Sequence, residues 1–557
     1  MLKTRAGLAP LVGLLILSGL LALAPGASAK PKGFKFGVAT GDVSSKSAIL
    51  WARSTKQGKA RIQVTGRKRQ FRQCVLKTKS DKYIVISEKS NDLTVQKRIY
   101  NLRPNTQFKY RFCMSGGRKS ATGKFKTAPK QGQQQKIRFA LAGDQDARPL
   151  PGGTEPYWNK FEVWDRIRAQ NNDFNVLMGD TIYSDTEVPG YKLDDIAVSV
   201  KQKRTAYKTN LGMKPWTNAR GSAAYYAHWD DHEFINDFSK GENVFPYSND
   251  GVDQGSTKIN GKQLYKQGVE AFTEYNPVSY KKESGIYRSQ RWGKNLEIFF
   301  LDERSFRSSS ADYDGACDNP AGSGNPDLAP TAPQSTRNVF AALVPTLANP
   351  VSQGCLDAIN DPDRTMLGSQ QLSNFKQAIK KSTATFKVIF NEVPIQQYYA
   401  LPYDRWEGYE TERKALLHFL EDNVKNAVFL TTDVHANLVN DARYNTLGPD
   451  GVQNSGIIDV TTGPVATENF NGEINSATGS DSSGPLIQSV FLKSPPPAGV
   501  GMQCASTDQF SYAEVEVTKS RMKIDLLDDQ DQPVLDTGDV DANPGAPPCA
   551  QVVIPAE

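Results

Sequence analysis

The sequence predicts an α/β domain preceded by an all-β module, and three observations carry that expectation. Residues 33–128 consist of short alternating or β-branched runs. A polar segment, "PKQGQQQK" (129–136), then reads as a linker. Beyond it, apolar runs alternate with stretches of helical spacing.

Taken in order, the chain opens on a secretory signal. Lys3 and Arg5 precede the apolar "GLAPLVGLLILSGLLALA", and Ala27-Ser28-Ala29 forms a small-x-small cleavage site. Cleavage is expected after Ala29, giving a secreted or periplasmic protein. An uncleaved anchor is the alternative, because the apolar stretch is nearly long enough to span a bilayer. No adjacent Arg-Arg pair occurs, so Sec-type export is expected, and no later segment is apolar enough to cross a membrane. Residues 30–128 follow as an immunoglobulin- or fibronectin-like module. "AILWAR", "ARIQVTG", "KYIVISE", "TVQKRIYN", "KYRFCM" and "GKFKTAP" are its strands. "LRPNTQFKYRF" (102–112) resembles a tyrosine corner, with Leu102 in the core and the Tyr110 hydroxyl tied back to the backbone.

Residues 137–540 are read as one domain. "IRFALAG" (137–143), "FNVLMG" (174–179), "LEIFFLD" (296–302), "FKVIFNE" (386–392) and "AVFLTTD" (427–433) are its buried strands. "PYWNKFEVWDRIRAQ" (156–170), "GSQQLSNFKQAIKKS" and "ERKALLHFLEDN" have helical spacing. "SYAEVEVTKSRMKIDLL" (511–527) returns to strands, and 541–557 is a polar, Pro-rich tail. The Gly/Ser/Asn-rich passages at 239–263 and 307–350 are expected to be surface insertions walling a cleft.

Six cysteines, all after the signal segment, predict disulfides in an exported chain. Pairing of sequence neighbours (74–113, 317–355, 504–549) is the simplest of the 15 connectivities, and the sequence does not choose among them. Without Cys-x-x-Cys, a zinc knuckle or redox centre is not expected. The formal charge of +7 falls to +5 on signal removal, a weak field over so long a chain. No nucleic-acid-binding module is recognised, and "RKRQFR" (67–72) reads as a solvated strand edge. No stable membrane insertion is expected of the mature chain, which is taken as a monomer.

The chemistry gathers at strand ends. "LAGDQDA" offers Asp144 and Asp146, "LMGDTIYSD" offers Asp180 and Tyr183, and "LTTDVHAN" offers Asp433 and His435. A fourth cluster, "HWDDHEFINDF" (228–238), holds Asp230, Asp231, His232, Glu233, Asn236 and Asp237. In an α/β layer, loops at strand C-termini meet on one edge. So many carboxylates in one crevice repel unless a cation compensates them, which points to a multivalent metal site. Each loop alone has an ordinary reading, a cap or a core histidine; four in one chain are harder to dismiss. Only four histidines exist, and three lie in or beside these loops. The donor set therefore favours oxygen ligands and hard ions such as Ca²⁺, Mg²⁺, Mn²⁺ or Fe³⁺.

The order Gly-Asp-x-x-Tyr, Asp-His-Glu, then a late histidine at a strand end resembles calcineurin-like metallophosphoesterases. Their domain is a β-sandwich flanked by helices. The Asp180–Tyr183 spacing resembles purple acid phosphatases. "FKFGVATGDVSSKSAILWAR", "GDTIYSD", "WDDHEFINDF", "LDERSFR", "YDRWEGYETER" and "TTDVHAN" together resemble PhoD-type alkaline phosphatases and phosphodiesterases over about residues 33–540. The resemblance implies that Asp180 bridges two metals, that Tyr183 and His435 bind a ferric ion, and that Asp231 and Asp433 bind a calcium-like partner. Asn236 would reach the second metal, and His232 would contact the phosphate or leaving group. One departure stands out: Asp144 occupies the first loop, where that family carries a cysteine ligand. Fe³⁺ and Ca²⁺ are thus expected, with Mg²⁺, Mn²⁺ or Zn²⁺ as alternatives.

The implied reaction is hydrolysis of a small phosphate ester by a metal-bound hydroxide attacking in line with the leaving group. Arg304 would either clamp the phosphate or pair with Asp302. Two other readings compete: a phospholipase-D-like diesterase, and a non-catalytic secreted β-sandwich protein binding structural calcium. Tyr183 and His435 beside Asp180 argue against the calcium-only reading, because structural calcium sites rarely use phenolate or imidazole. A Ser-His-Asp hydrolase is discounted for want of a Gly-x-Ser-x-Gly elbow in the right setting.

Overall fold

The computed structural model describes residues 33–76, 82–244, 259–319 and 325–557. The expected signal segment and parts of both insertions lie outside these residues. Two mixed β-sheets pack face to face between layers of helices.

In the first sheet, Ile137–Ala142, Phe174–Met178 and Ala224–His228 run parallel as neighbours. In the second, Leu296–Phe300, Phe386–Phe390, Ala427–Thr431 and Gln453–Thr461 do the same. Such strands are covered on both faces, which is why they read as unbroken apolar runs rather than alternating ones. Phe174, Val176 and Met178 point inward, against Phe300, Val388, Phe390 and Leu430 of the facing sheet. Leu177, between them, points outward to Trp164, Trp216 and Phe272 on helices Glu162–Ala169, Lys214–Ser222 and Gly261–Tyr275. Helices Ser369–Lys381 and Glu410–Asn423 cover the second sheet through Phe375, Ile379, Leu416 and Leu420.

The described residues of 33–128 form strands, and one set of them extends the first sheet. Phe34–Gly41 joins Ala224–His228 in parallel through the Gly41–Tyr225 pair, and Ala48–Ser54 and Thr94–Ile99 continue outward. Gly58–Gly66, Ile84–Ser87, Gln107–Met114 and Gly123–Lys126 make a separate four-stranded sheet. Leu102 packs against the core as expected, but the Tyr110 hydroxyl makes no hydrogen bond to the turn. Its ring lies over Gly123, where a Cβ would sit 2.4 Å from it. Thr127 holds the turn instead, its Oγ1 donating to the Arg103 carbonyl at 2.6 Å and accepting from the Thr106 amide at 3.0 Å.

Three further differences are local. The helix expected over 156–170 spans only Glu162–Ala169, because Asn159 accepts from the Phe161 amide and Phe161 adopts φ 65°. The strand Ala224–His228 has five residues and no alternation of apolar and polar positions, so its two tyrosines leave little sequence signal. The Pro-rich tail ends in an edge strand, Val552–Pro555, paired with Arg521–Asp528. Disulfides join Cys74–Cys113, Cys317–Cys355 and Cys504–Cys549, the neighbour pairing. No described helix is long and apolar enough to cross a membrane.

Candidate metal centre

The parallel strands deliver their C-terminal loops to one edge. Asp144 follows Ile137–Ala142, Asp180 follows Phe174–Met178, Asp231 follows Ala224–His228, and Asp433 and His435 follow Ala427–Thr431. The loops touch closely, and two glycines permit it. A Cβ at Gly143 would lie 2.3 Å from the Met178 carbonyl, and one at Gly179 would lie 2.8 Å from the Asp230 Cβ. Glu233 stitches the second and third loops together, accepting from the Thr181 amide at 2.6 Å and the Asp230 amide at 2.8 Å.

Four candidate ligands sit in the left-handed region: Asp144 (φ 56°), Asp180 (φ 44°), Asp433 (φ 74°) and His435 (φ 55°). Such conformations are uncommon outside glycine and cluster at functional sites. They aim the side chains at one another. Donor atoms of Asp144, Asp180 and His435 lie within 4.8 Å of each other, as do those of Asp180, Asp231 and His232. Asp180 belongs to both groups. Asp230, Asp231 and Asp433 form a third.

Tyr183 joins the first group, its hydroxyl 2.9 Å from His435 Nε2. The other imidazole nitrogen of His435 lies 2.5 Å from Glu473 Oε1, fixing the ring. His232 is held similarly, with Nδ1 2.7 Å from Asp185 Oδ1 and its ring centre 4.1 Å from that of Tyr183. Asn236 is exposed, and its backbone amide donates to Asp185 Oδ2 at 2.7 Å. Arg304 is fully buried. Its Nε lies 2.5 Å from Asp230 and its Nη1 2.6 Å from Asp404, while Nη2 lies 3.9 Å from Asp231 and 3.7 Å from Asp433. Asp302, its expected ion-pair alternative, is taken by Trp229, Ser305 and the Ile286 amide.

Burial and crowding of like charges shift the titratable groups of this cluster. Burial pushes Asp144 up to about 7, and burial together with Asp231, Asp230 and Glu233 holds Asp180 well above the usual carboxylate range. Burial alone would lower His435, but Glu473 and Glu187 bring it up to about 10. His232 is likewise held well above its ordinary value, against burial, by Asp185, Asp180 and Asp231. Asp144 Oδ2 is buried and has no hydrogen-bond partner. A multivalent cation would satisfy that orphan oxygen and relieve the repulsion.

The family description "PhoD-like phosphatase" matches residues 153–526, and "PhoD-like phosphatase, N-terminal domain" matches 21–129. The chain belongs to the PhoD-like phosphatase family. Alkaline phosphatase D of Bacillus subtilis (strain 168) is 24% identical over 450 residues, 74% of this chain and 66% of that one, so the match spans just under two thirds of the relative. Among solved structures, one described as PhoD superposes with TM-score 0.65 at 18% identity, covering 96% of this PhoD-like chain and 92% of the other. Purple acid phosphatase PPD1 from yellow lupin (Lupinus luteus) seeds gives TM-score 0.51 at 11% identity, covering 91% and 74%. Both likenesses concern the fold.

Sequence reasoning missed Asp185, Glu187, Glu473 and Asp404. Asp185 and Glu187 stand two and four residues after Tyr183, close enough to have been included. Glu473 sits on a distant segment with no motif of its own, and Asp404, though it lies within the quoted "YDRWEGYETER", carries no local sign of its pairing; only the packing brings the two to the site.

Proposed function

We propose that this PhoD-like chain is an exported metal-dependent hydrolase of phosphoric esters, working at a centre of at least two metals. The observation that carries the reading is Asp180, shared between two donor groups, with Tyr183 and His435 completing one of them. Asp144, Asp180, Tyr183 and His435 would hold one ion; phenolate, imidazole and carboxylates suit Fe³⁺. Asp180, Asp231 and Asp433, with Asn236 at the rim, would hold an oxygen-ligated ion such as Ca²⁺. Metals so placed supply charge neutralisation of the phosphoryl group and activation of water.

The protein's own residues do the rest. Asp185 keeps His232 protonated and fixes its ring, so its free Nε2–H can donate to the leaving-group oxygen. Arg304 Nη2, buried and without a hydrogen-bond partner, is available to a phosphoryl oxygen. Glu473 holds His435 in one orientation. Three disulfides support an oxidising compartment.

The test is elemental analysis of the purified protein, paired with hydrolysis of a monoester and a diester before and after chelation. Metal content with chelator-sensitive turnover is expected, and Asp180→Asn should lose turnover together with bound metal. A protein that hydrolyses neither ester after reconstitution with Fe³⁺ and Ca²⁺ would refute the reading.

A further inference from the structure

The total charge conceals a strong division. Residues 33–128 contain 23 Lys and Arg against 4 Asp and Glu, a net +19 in a chain whose sum is +7, so residues 129–557 are net acidic. The excess has a place in the fold. In the four-stranded sheet, Tyr110, Phe112, Ala60 and Ile62 point into the core, which turns Lys109 and Arg111 to the opposite, outer face. Lys109 stands between Thr65 and Lys124, and Arg111 beside Gln63.

Segment 67–76 is strapped across this face. The Cys74–Cys113 disulfide anchors it, Arg61 donates to the Val75 carbonyl at 2.7 Å, and Gln63 donates to the Arg72 carbonyl at 3.0 Å. Phe71 lies beneath Lys109 and Arg111, its ring centroid 5.4 Å from the ammonium and 4.4 Å from the guanidinium carbon. The strap therefore adds Arg67, Lys68, Arg69 and Arg72, all exposed, to the cations of the sheet. Among the described residues, none of these four, nor Lys109 or Arg111, has a carboxylate within ion-pair distance.

A solvated face needs no such construction: like charges gathered on a pinned strap repel one another, and the arrangement becomes favourable when an anion covers it. We propose that this outer face binds a linear polymer of phosphate groups, separately from the metal centre. Cations at alternate residues of one strand stand about 7 Å apart, and neighbouring strands add rows about 5 Å away, so a flexible chain of anions can be followed along the sheet. Arginines among them match phosphate oxygens in fork geometry. The one aromatic ring of the strap is already covered by two cations, so the face offers no platform for stacking bases. That favours recognition of phosphates over recognition of nucleobases.

The experiment is fluorescence anisotropy of end-labelled long-chain inorganic polyphosphate against the full chain at 50–300 mM NaCl. The binding constant should fall with salt at a slope near −0.7 per phosphate contact, the scale for single-stranded polyanions. Replacing Arg67, Lys68, Arg69 and Arg72 together by Gln should weaken binding at least tenfold at 100 mM and flatten the slope by up to about 3. Lys109→Gln with Lys124→Gln, which keeps the Cys74–Cys113 disulfide, the Arg61 and Gln63 hydrogen bonds and the four cations of the strap, should weaken it less, and hydrolysis of a small monoester should be unchanged in both variants. Three results would overturn the proposal: no salt-dependent binding by the wild type; equal binding of polyglutamate of matched charge; or binding to anionic phospholipid vesicles without binding to polyphosphate, which would make the face a membrane contact. Failure here leaves the phosphoesterase reading untouched, because the metal assays do not involve these residues.

Discussion

Replacing Arg304 by Met separates a structural role from a substrate role. Among the described residues, the guanidinium is the only cation paired with the fully buried Asp230, at 2.5 Å. Asp404 would keep Arg307, which lies 2.8 Å from the same oxygen that Arg304 approaches at 2.6 Å. The substitution therefore strands one buried carboxylate outright and weakens the pairing of a second. Breaking a buried pair from one side costs about 3–5 kcal/mol. With Asp404 still partnered, the lower end, about 3 kcal/mol, is expected. For a cooperative unit of about 400 residues the unfolding entropy is about 0.8 kcal/mol/K, so the melting temperature should fall by about 4 °C. Calorimetry of the metal-loaded protein measures it. Adding Asp230→Asn to Arg304→Met removes the stranded charge and should restore most of the melting temperature but none of the turnover. A melting temperature within 1 °C of wild type in the single variant, with turnover lost, would refute the structural part of the reasoning: the guanidinium would then act on substrate alone.

Asp185→Asn should lower the pKa of His232, moving the alkaline limb of the kcat profile to lower pH and reducing kcat about 10–100-fold. An unshifted limb would remove His232 as the proton donor. Glu514, bonded to Arg138 and Asn172, is pushed up to about 7 by burial, so the stability it contributes is present below pH 4.5 and is lost as pH rises through 7. Glu514→Gln should erase that loss, a difference of about 3 kcal/mol between pH 4.5 and 8, read from denaturant midpoints. Chelation should lower the melting temperature, because ions that bind only the folded centre stabilise by about 2.7 kcal/mol at a hundred times Kd; equal melting curves with and without chelator would contradict a bound metal.

Much of the centre was legible because parallel strands buried on both faces leave plain apolar runs, and their exits are marked by Gly-Asp or Thr-Asp. That is how Asp144, Asp180 and Asp433 stand out. Residues that act through another side chain left no such mark. Glu473 reaches His435 from helix Phe470–Thr478 with no motif around it, and Asp404, inside "YDRWEGYETER", reaches Arg304 across a hundred positions, so neither contact is visible locally. The tyrosine corner misled for a related reason: the turn residues were right, but Gly123 gave the Tyr110 ring a seat that no local motif discloses.

The backbone of the centre explains why its glycines and its aspartates come in pairs. The loops that carry Asp144 and Asp180 leave their strands sharply, and the sharp exit costs a left-handed residue, about 1–2 kcal/mol for a side chain other than glycine. Asp144 and Asp180 accept that conformation one residue after Gly143 and Gly179 have admitted the neighbouring loop. Burial then adds the cost of crowding carboxylates that cannot all be ionised together. Both costs fall on the same few residues, and the binding of a cation between the loops, as proposed, would offset them. Asp144 fits the same logic: a thiolate there would bring one soft donor, whereas a carboxylate with a buried, unpartnered oxygen brings a hard one, so an ion held at that position would be selected more by charge and size than by affinity for sulfur.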